Sequence, residues 1–513
     1  MTLHINNKII FYFTPFIIGL IISLSLPPYN YLIINFIFFP IIFIFFINNY
    51  NNEKWLSFKI GWLFGFGYFI SNIYWITKSL TFDDQFKILI PIAFVAIPIF
   101  LGLFYGLITF VCSFLSLKNN FSSILTFATI FAFIEFLRSF VLGGFPWNLN
   151  AYSWTNYLNF LQILPFIGTY SFNLLSITIF LIPSIFFSKY KLKLKLITLI
   201  LVIFLIGINY FYGSVVINNY NKTDYKKTSS TIKVISPNIK ISRFLKNEDP
   251  YEIIMELIEL SNPNLKKETI FIFPEGVLTS IYLEDLKNYK NLFSNSYSSK
   301  HKIILGISSN KNLKIYNSLA VIDKNANILA QYNKNNLVPF GEFLPLERLL
   351  STFGFKKITA GYQSFSADTS REILNVNNLK FLPLICYEII YSGRLKKSKE
   401  DFDFIVNISE DGWFGNSIGP YQHFSHSIFR AIEEGKNLIR SANNGTTSFI
   451  DPTGQIVKSI ESTQKGVIEL NKFRVNKKTI FSSLGNKLFF YFILFYIILI
   501  FFLKKKKHKR ELI

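Results

Sequence analysis

The chain has 513 residues, of which 50% are hydrophobic and only 16% charged, a balance outside that of ordinary soluble proteins. Its formal net charge of +22 would suit a phosphate-rich partner, but much of the excess lies in short segments beside apolar runs, so no nucleic-acid partner is expected. Two cysteines, Cys112 in an apolar run and Cys386 in a polar region, speak against a structural disulfide, and five scattered histidines without CxxC or HExxH spacing leave little for a metal.

Phe, Ile and Leu dominate from Ile9 to Tyr212 and return from Leu488 to Leu503. A helix needs around 20 apolar residues to cross about 30 Å of hydrocarbon, fewer when flanking residues snorkel. Eight runs qualify: Ile9–Leu26, Tyr31–Ile47, Phe58–Thr77, Ile88–Leu117, Phe121–Leu142, Tyr157–Phe187, Leu196–Tyr212 and Leu488–Leu503. They predict a multi-pass α-helical membrane domain of about eight spans. The first run lacks a small-residue cleavage site and is followed by further runs, which reads as a span rather than a signal peptide. The sixth is overlong, and a re-entrant or interfacial piece is expected before Gly168. Glu135 and Arg138 lie three apart in the fifth, where charges are costly unless paired or facing protein. They read as a pair tying helices together, with a direct substrate role as the alternative.

Basic residues in short loops are retained on the cytoplasmic side. Lys8, Lys54, Lys59, Lys118, Lys189, Lys191, Lys193, Lys195, Lys504 to Lys507, Lys509 and Arg510 fall on one side, and Lys78 and Lys87 on the other, a count of 14 against 2. Both termini are therefore expected in the cytoplasm and the large polar region outside, which in a bacterium with two membranes means the periplasm. The expected domains are 1–212 with seven spans, 213–487 outside, a last span at 488–503 and a basic cytoplasmic tail at 504–513.

Within the polar region, β-rich runs recur at Ile232–Ile235, Thr269–Phe273, Ile303–Ile307, Ser318–Ile322, Phe381–Ile385, Phe404–Ile408 and Thr446–Ile450. Helix-like stretches such as Tyr251–Leu260 and Ser425–Asn437 separate some of them. Near-continuous apolar strands alternating with helices imply an α/β domain whose sheet is covered on both faces.

Three segments carry chemistry. The strand FLPLICYE ends in Cys386, Tyr387 and Glu388; the run Thr269–Phe273 leads into Pro274 and Glu275; and Lys334 precedes a Pro/Gly-shaped loop closed by Glu342. Reacting groups of open α/β sheets gather at the carboxyl ends of strands. Taken singly, Cys386 could be a buried structural cysteine and Glu275 a capping glutamate. Together they supply what thiol acyl chemistry requires. A thiol with pKa near about 8.5 is mostly protonated at neutral pH, so a base must take its proton or a cation must stabilise the anion. Glu275 can be the base, and Lys334 can stabilise the oxyanion of a tetrahedral intermediate. His423 and His426 raise a rival, a Cys–His dyad, against second-shell packing as the plainer fate of such residues.

These segments resemble the Glu-Lys-Cys signature of the nitrilase, or carbon-nitrogen hydrolase, superfamily. YNKNNLVPFGEFLP, NISEDGWFGNSIGPYQH, RAIEEGKNLIRSANNGTTSFIDPTG and LRSFVLGGFPWN further resemble the bacterial apolipoprotein N-acyltransferase family. The resemblance implies an α-β-β-α sandwich and a two-step transfer at an inner membrane without cofactor. Cys386 as nucleophile would take an acyl chain from a phospholipid as a thioester and pass it to the α-amino group of a diacylglyceryl-cysteine at the N-terminus of an apolipoprotein. It also implies Glu275 as proton acceptor, Lys334 as intermediate stabiliser, Glu342, Tyr387 and Glu388 as supporting residues, and Trp413 near the substrate entrance. The chain departs from the family pattern at Ser236, Pro237 and Asn238, where a glutamine more often comes first, and at Glu410 and Gly412, which replace a common Asn and Ala.

Two other readings remain at this point: a membrane-tethered amidase hydrolysing a small amide, and a transporter or receptor whose outer domain only binds. The segment holding Phe343, Leu344, Leu346, Leu349, Leu350, Phe353 and Phe355 reads either as a buried helix or as a lid dipping into lipid. The protein is expected to act as a monomer.

Overall fold

In hydrocarbon no water is present to satisfy the backbone, so long apolar segments must close their hydrogen bonds internally as helices. The computed structural model describes residues 8–49, 53–246, 248–345, 347, 352, 364–395, 400–474 and 478–511. Helices fall on all eight apolar runs: Lys8–Ser23, Ile33–Asn49, Lys54–Ile73, Ile90–Ser113, Phe121–Arg138, Leu164–Leu181, Leu192–Lys222 and Lys487–Glu511. Among the described residues, five helical stretches are long and apolar enough to cross a membrane: Asp84–Ser113, Phe121–Arg138, Leu164–Phe187, Leu192–Lys222 and Lys487–Lys505. Gly168, at φ +73°, interrupts the helix Leu164–Leu181.

The chain divides into two units, Met1–Thr77 with Ile88–Ile217 and Leu484–Ile513, and Lys78–Lys87 with Asn218–Ser483. The helix Leu192–Lys222 runs past the expected boundary at residue 213, and the short connection Lys78–Lys87 groups with the second unit. Within the first unit, small residues let helices approach closely. A Cβ on Gly67 would lie 2.1 Å from the carbonyl oxygen of Phe16. Glu135 accepts hydrogen bonds from the Tyr105 hydroxyl at 3.0 Å and the Asn173 amide at 2.6 Å, so one carboxylate links three helices. Arg138 stands 3.8 Å from it and donates to the carbonyl of Phe145.

The second unit contains two six-stranded sheets. The first has the order β12 (Gly466–Phe473), β1 (Lys226–Ser236), β2 (Thr269–Ile272), β3 (His301–Lys311), β4 (Lys314–Ile322) and β5 (Ile328–Asn333). The second has β11 (Ile456–Ile460), β10 (Thr447–Ile450), β9 (Asn437–Asn443), β8 (Phe404–Glu410), β7 (Leu379–Ile385) and β6 (Leu374–Val376). β1, β2 and β3 run parallel, as do β7, β8 and β9, and every other neighbouring pair is antiparallel.

Alternation along each strand assigns its two faces. Ile232, Val234, Ile270 and Ile272 of the first sheet pack with Phe381, Ile385, Val406 and Ile408 of the second, forming the inner core. Ile235, Phe271 and Phe273 point the other way, onto Ile254, Leu257 and Ile258 of the helix Pro250–Ser261. That helix has favourable ends: Asp249 caps the amide of Tyr251, Pro250 opens it, and Asn262 closes it in the left-handed region. The helix Gly419–Glu434 packs on β9 and β10 of the other sheet, completing the α-β-β-α sandwich.

All seven anticipated runs fall on strands. β5, β6, β9, β11 and β12 were not anticipated, because their sequences are polar or short; β9, NLIRSAN, is buried throughout all the same. Of the proposed lid residues, Leu346, Leu349, Leu350, Phe353 and Phe355 lie outside the described residues. Leu344 is buried.

Candidate active site

β7 is a buried apolar strand, and its chain turns sharply at Cys386, the first residue beyond it. Cys386 has φ +48°, a left-handed backbone that a non-glycine residue adopts at a cost of about 1–2 kcal/mol. Two contacts hold the turn. Glu388 accepts from the amide of Ile385 at 2.9 Å, and the carbonyl of Cys386 faces His423 Nε2 at 3.3 Å. The turn carries Cys386 out of the strand direction at the carboxyl end of β7 while leaving it 7% exposed.

Glu275 follows β2 and Lys334 follows β5, so each comes from the end of a strand of the first sheet. Lys334 Nζ lies 2.9 Å from Glu342 Oε1 and 3.4 Å from Glu275 Oε1. Asn317 of β4 donates to the same two oxygens, at 2.7 Å each. The other oxygen of Glu275 accepts the amide of Glu410 at 2.8 Å, a bond that crosses from one sheet to the other. The second oxygen of Glu342 accepts the amide of Val338 at 2.8 Å, closing its loop. Both carboxylates are thus held by fixed donors in a nearly dry site.

Burial opposes the charge on Lys334, but Glu342, Glu275 and the Cys386 sulfur outweigh it, and the ammonium is held well above its ordinary range. Burial and then the Glu275 carboxylate push the Cys386 thiol well up, against the pull of Lys334; Asp411 adds to the rise, and a hydrogen bond with Ser409 opposes it. Burial thus favours the protonated thiol, while Glu275 and Lys334 act on it in opposite directions. This arrangement suits removal of the proton as the sulfur attacks rather than a standing thiolate.

Glu388 is fully buried and ties the Lys334 loop to the Cys386 turn. One oxygen accepts from the Tyr332 hydroxyl at 2.7 Å, the amides of Asn335 at 2.9 Å and Asn336 at 3.1 Å, and the Arg371 guanidinium. Tyr387 is buried, with its ring edge-on to Tyr391 at 5.5 Å.

Both histidines of the rival dyad lie on the helix Gly419–Glu434. His423 has Nε2 toward the Cys386 carbonyl and Nδ1 toward Asp411 at 2.9 Å, and Arg440 approaches the same Nδ1 at 3.0 Å. Both ring nitrogens are engaged, and burial holds the imidazole below its usual range. His423 buttresses the main chain at the turn. His426 is fully buried on the helix Gly419–Glu434.

The model of the apolipoprotein N-acyltransferase N-terminal domain matches residues 18–182, and that of carbon-nitrogen hydrolase matches residues 253–471. Apolipoprotein N-acyltransferase of Rickettsia prowazekii (strain Madrid E) is 34% identical over 445 residues, covering 85% of this chain and 87% of the relative. The chain belongs to the apolipoprotein N-acyltransferase family. Its relative of that name in Rickettsia typhi (strain ATCC VR-144 / Wilmington) is 32% identical over 484 residues, 92% of this chain and 94% of the relative. Among solved structures, a carbon-nitrogen hydrolase from Helicobacter pylori overlaps 47% of this chain and 87% of its own, at 15% identity and a TM-score of 0.34.

The positions where this chain departs from the family pattern have different surroundings. Ser236 donates to the carbonyl of Gln464 at 2.9 Å and Asn238 to that of Thr463 at 2.8 Å, bonds that tie down the end of β1. Glu410 and Gly412 belong together. Gly412 donates its amide to Glu410 Oε1 at 2.8 Å, and a Cβ at position 412 would lie 2.6 Å from that same oxygen. A carboxylate at 410 in this conformation therefore requires glycine at 412. Trp413 follows, half-buried, with its ring 5.0 Å from Phe244 and 5.9 Å from Phe82 of the Lys78–Lys87 connection.

Sequence reasoning missed Asn317, Arg371, Arg243 and Asp411. Asn317 lies in β4, KIYNSLAVI, one residue before the anticipated run Ser318–Ile322. The other three owe their ion pairs to partners 17, 167 and 29 residues away.

Proposed function

We propose that this protein transfers an acyl chain from a phospholipid to the α-amino group of the N-terminal diacylglyceryl-cysteine of apolipoproteins, the last step of lipoprotein maturation. Cys386 attacks the ester carbonyl while Glu275 accepts the thiol proton, and Lys334 stabilises the negative charge on the carbonyl oxygen. Collapse of the intermediate returns the proton to the departing alcohol, releasing lysophospholipid and leaving a thioester. The free amine then attacks the thioester, its proton passes to the departing sulfur through Glu275, and an amide-linked chain leaves. Glu342 fixes Lys334, Glu388 and Tyr387 support the turn, and Trp413 stands near the substrate entrance. No cofactor takes part.

The observation that carries this reading is the convergence of one buried carboxylate and one buried ammonium, 3.4 Å apart, on the buried thiol of a chain in this family. Eight spans with both termini in the cytoplasm would put the domain at residues 213–487 in the periplasm, where a monomer in the inner membrane meets both lipid substrates. The basic-residue asymmetry of the short loops favours that orientation.

The full chain, incubated with phosphatidylethanolamine vesicles and a synthetic diacylated lipopeptide, is expected to yield a triacylated peptide and lysophospholipid in equal amounts. Cys386→Ser is expected to yield neither. Steady release of free fatty acid without an amide-linked third chain would identify a hydrolase and overturn the proposal.

A further inference from the structure

The ion pair of Arg243 and Glu410 lies behind Glu275 and has no place in the mechanism above. Both side chains are fully buried. Glu410 is the last residue of β8; its carboxylate meets the Arg243 guanidinium, Asn443 at 2.8 Å, Asn444 at 3.3 Å and the amide of Gly412 at 2.8 Å. A buried ion pair so fully bonded adds little net stability over an apolar pair of the same volume. Its connections point to another role.

Each partner also holds Glu275 or its neighbour. The amide of Glu410 donates to Glu275 Oε2 at 2.8 Å, and Arg243 Nε donates to the carbonyl of Gly276 at 2.9 Å. The carboxylate at residue 275 is thus gripped from the second sheet, while the peptide just beyond it is gripped from the segment Ile241–Phe244. Gly276 has φ +58°, and a Cβ there would lie 2.7 Å from the Phe244 ring, so the position suits glycine. The Arg243 guanidinium lies over the same ring, 4.6 Å from its centroid, and the ring packs on Trp413. The carboxylate at 410, the glycine amide that donates to it and the arginine that neutralises it form one linked set.

We infer that Arg243 and Glu410 are positioning residues that hold Glu275 at the angle and distance from which it takes the Cys386 proton. The inference rests on the reading of Glu275 as proton acceptor. Arg243→Lys keeps the charge of the pair but loses the Nε donor to Gly276, whereas Glu410→Gln keeps the shape and removes the charge.

The test is single-turnover acylation of the full chain in phosphatidylethanolamine vesicles, following acyl-Cys386 by quench and mass spectrometry, with Glu275→Gln as reference. In both variants the acylation rate per folded molecule is expected to fall about tenfold, with the half-saturating phospholipid concentration unchanged within about twofold. Glu275→Gln is expected to form no acyl-enzyme. A parental rate in Arg243→Lys beside an inactive Glu275→Gln would overturn the positioning role alone. So would a loss that vanishes once rates are expressed per folded molecule. Parental acylation by Glu275→Gln would instead remove the base, and this inference with it.

Discussion

The two units bury charge in opposite ways. In the helical unit Glu135 leans on a tyrosine hydroxyl and an asparagine amide, and its arginine stands 3.8 Å away. In the sandwich, several buried charges are matched by opposite charges: Lys334 with Glu275 and Glu342, Arg371 with Glu388, Arg243 with Glu410, Arg440 with Asp411, and Arg430 with Glu433. Neutral partners suffice to join helices. Holding a carboxylate and an ammonium dry beside a thiol takes opposite charges and backbone donors from several strands, which the crossing of two sheets supplies.

The sharpest way to break this contrast is at Lys334. Replacement by Met is expected to lower acyl-enzyme formation about a thousandfold, since it removes the group facing the developing oxyanion. The same change should move the alkylation of Cys386 by iodoacetamide to higher pH, and Glu275→Gln should move it to lower pH. The signs follow from the surroundings: Lys334 pulls the thiol down and Glu275 pushes it up. Shifts in the reverse directions would mean that neither group faces the sulfur.

A smaller effect is expected at Glu388. Its loss in Glu388→Ala leaves Arg371 buried without its carboxylate, which should cost about 3–5 kcal/mol of stability. Thermal unfolding of the full chain in detergent measures it, and a change below about 1 kcal/mol would show that the guanidinium finds another partner. The least effect belongs to the helical unit, where Glu135→Gln keeps an acceptor for Tyr105 and should cost only about 1 kcal/mol. Its acylation rate should stay within about twofold of the parent's; a hundredfold loss would give Glu135 a direct part in substrate handling.

The sequence by itself determined a good deal. Apolar length marked eight runs on which helices fall, and among the described residues five helical stretches are long and apolar enough to cross a membrane. Apolar runs marked the central strands, and a thiol, a carboxylate and an ammonium at expected strand ends marked the candidate site residues, of which Lys334 and Glu275 come within 3.4 Å. Strands such as β9 escaped because pattern reading depends on apolar side chains, whereas Arg440, Ser441 and Asn443 are buried with polar partners.

What only the tertiary structure decided is which side chains share a charge. Asn317 bridges Glu275 to Glu342 across 42 and 25 residues, and Glu410 reaches Glu275 across 135. The left-handed turn at Cys386 and the engagement of both nitrogens of His423 likewise depend on groups brought in from other strands and helices. Burial in the sandwich raises the energy of every unpaired charge, so the partners that satisfy each one are chosen by packing, which local sequence does not encode.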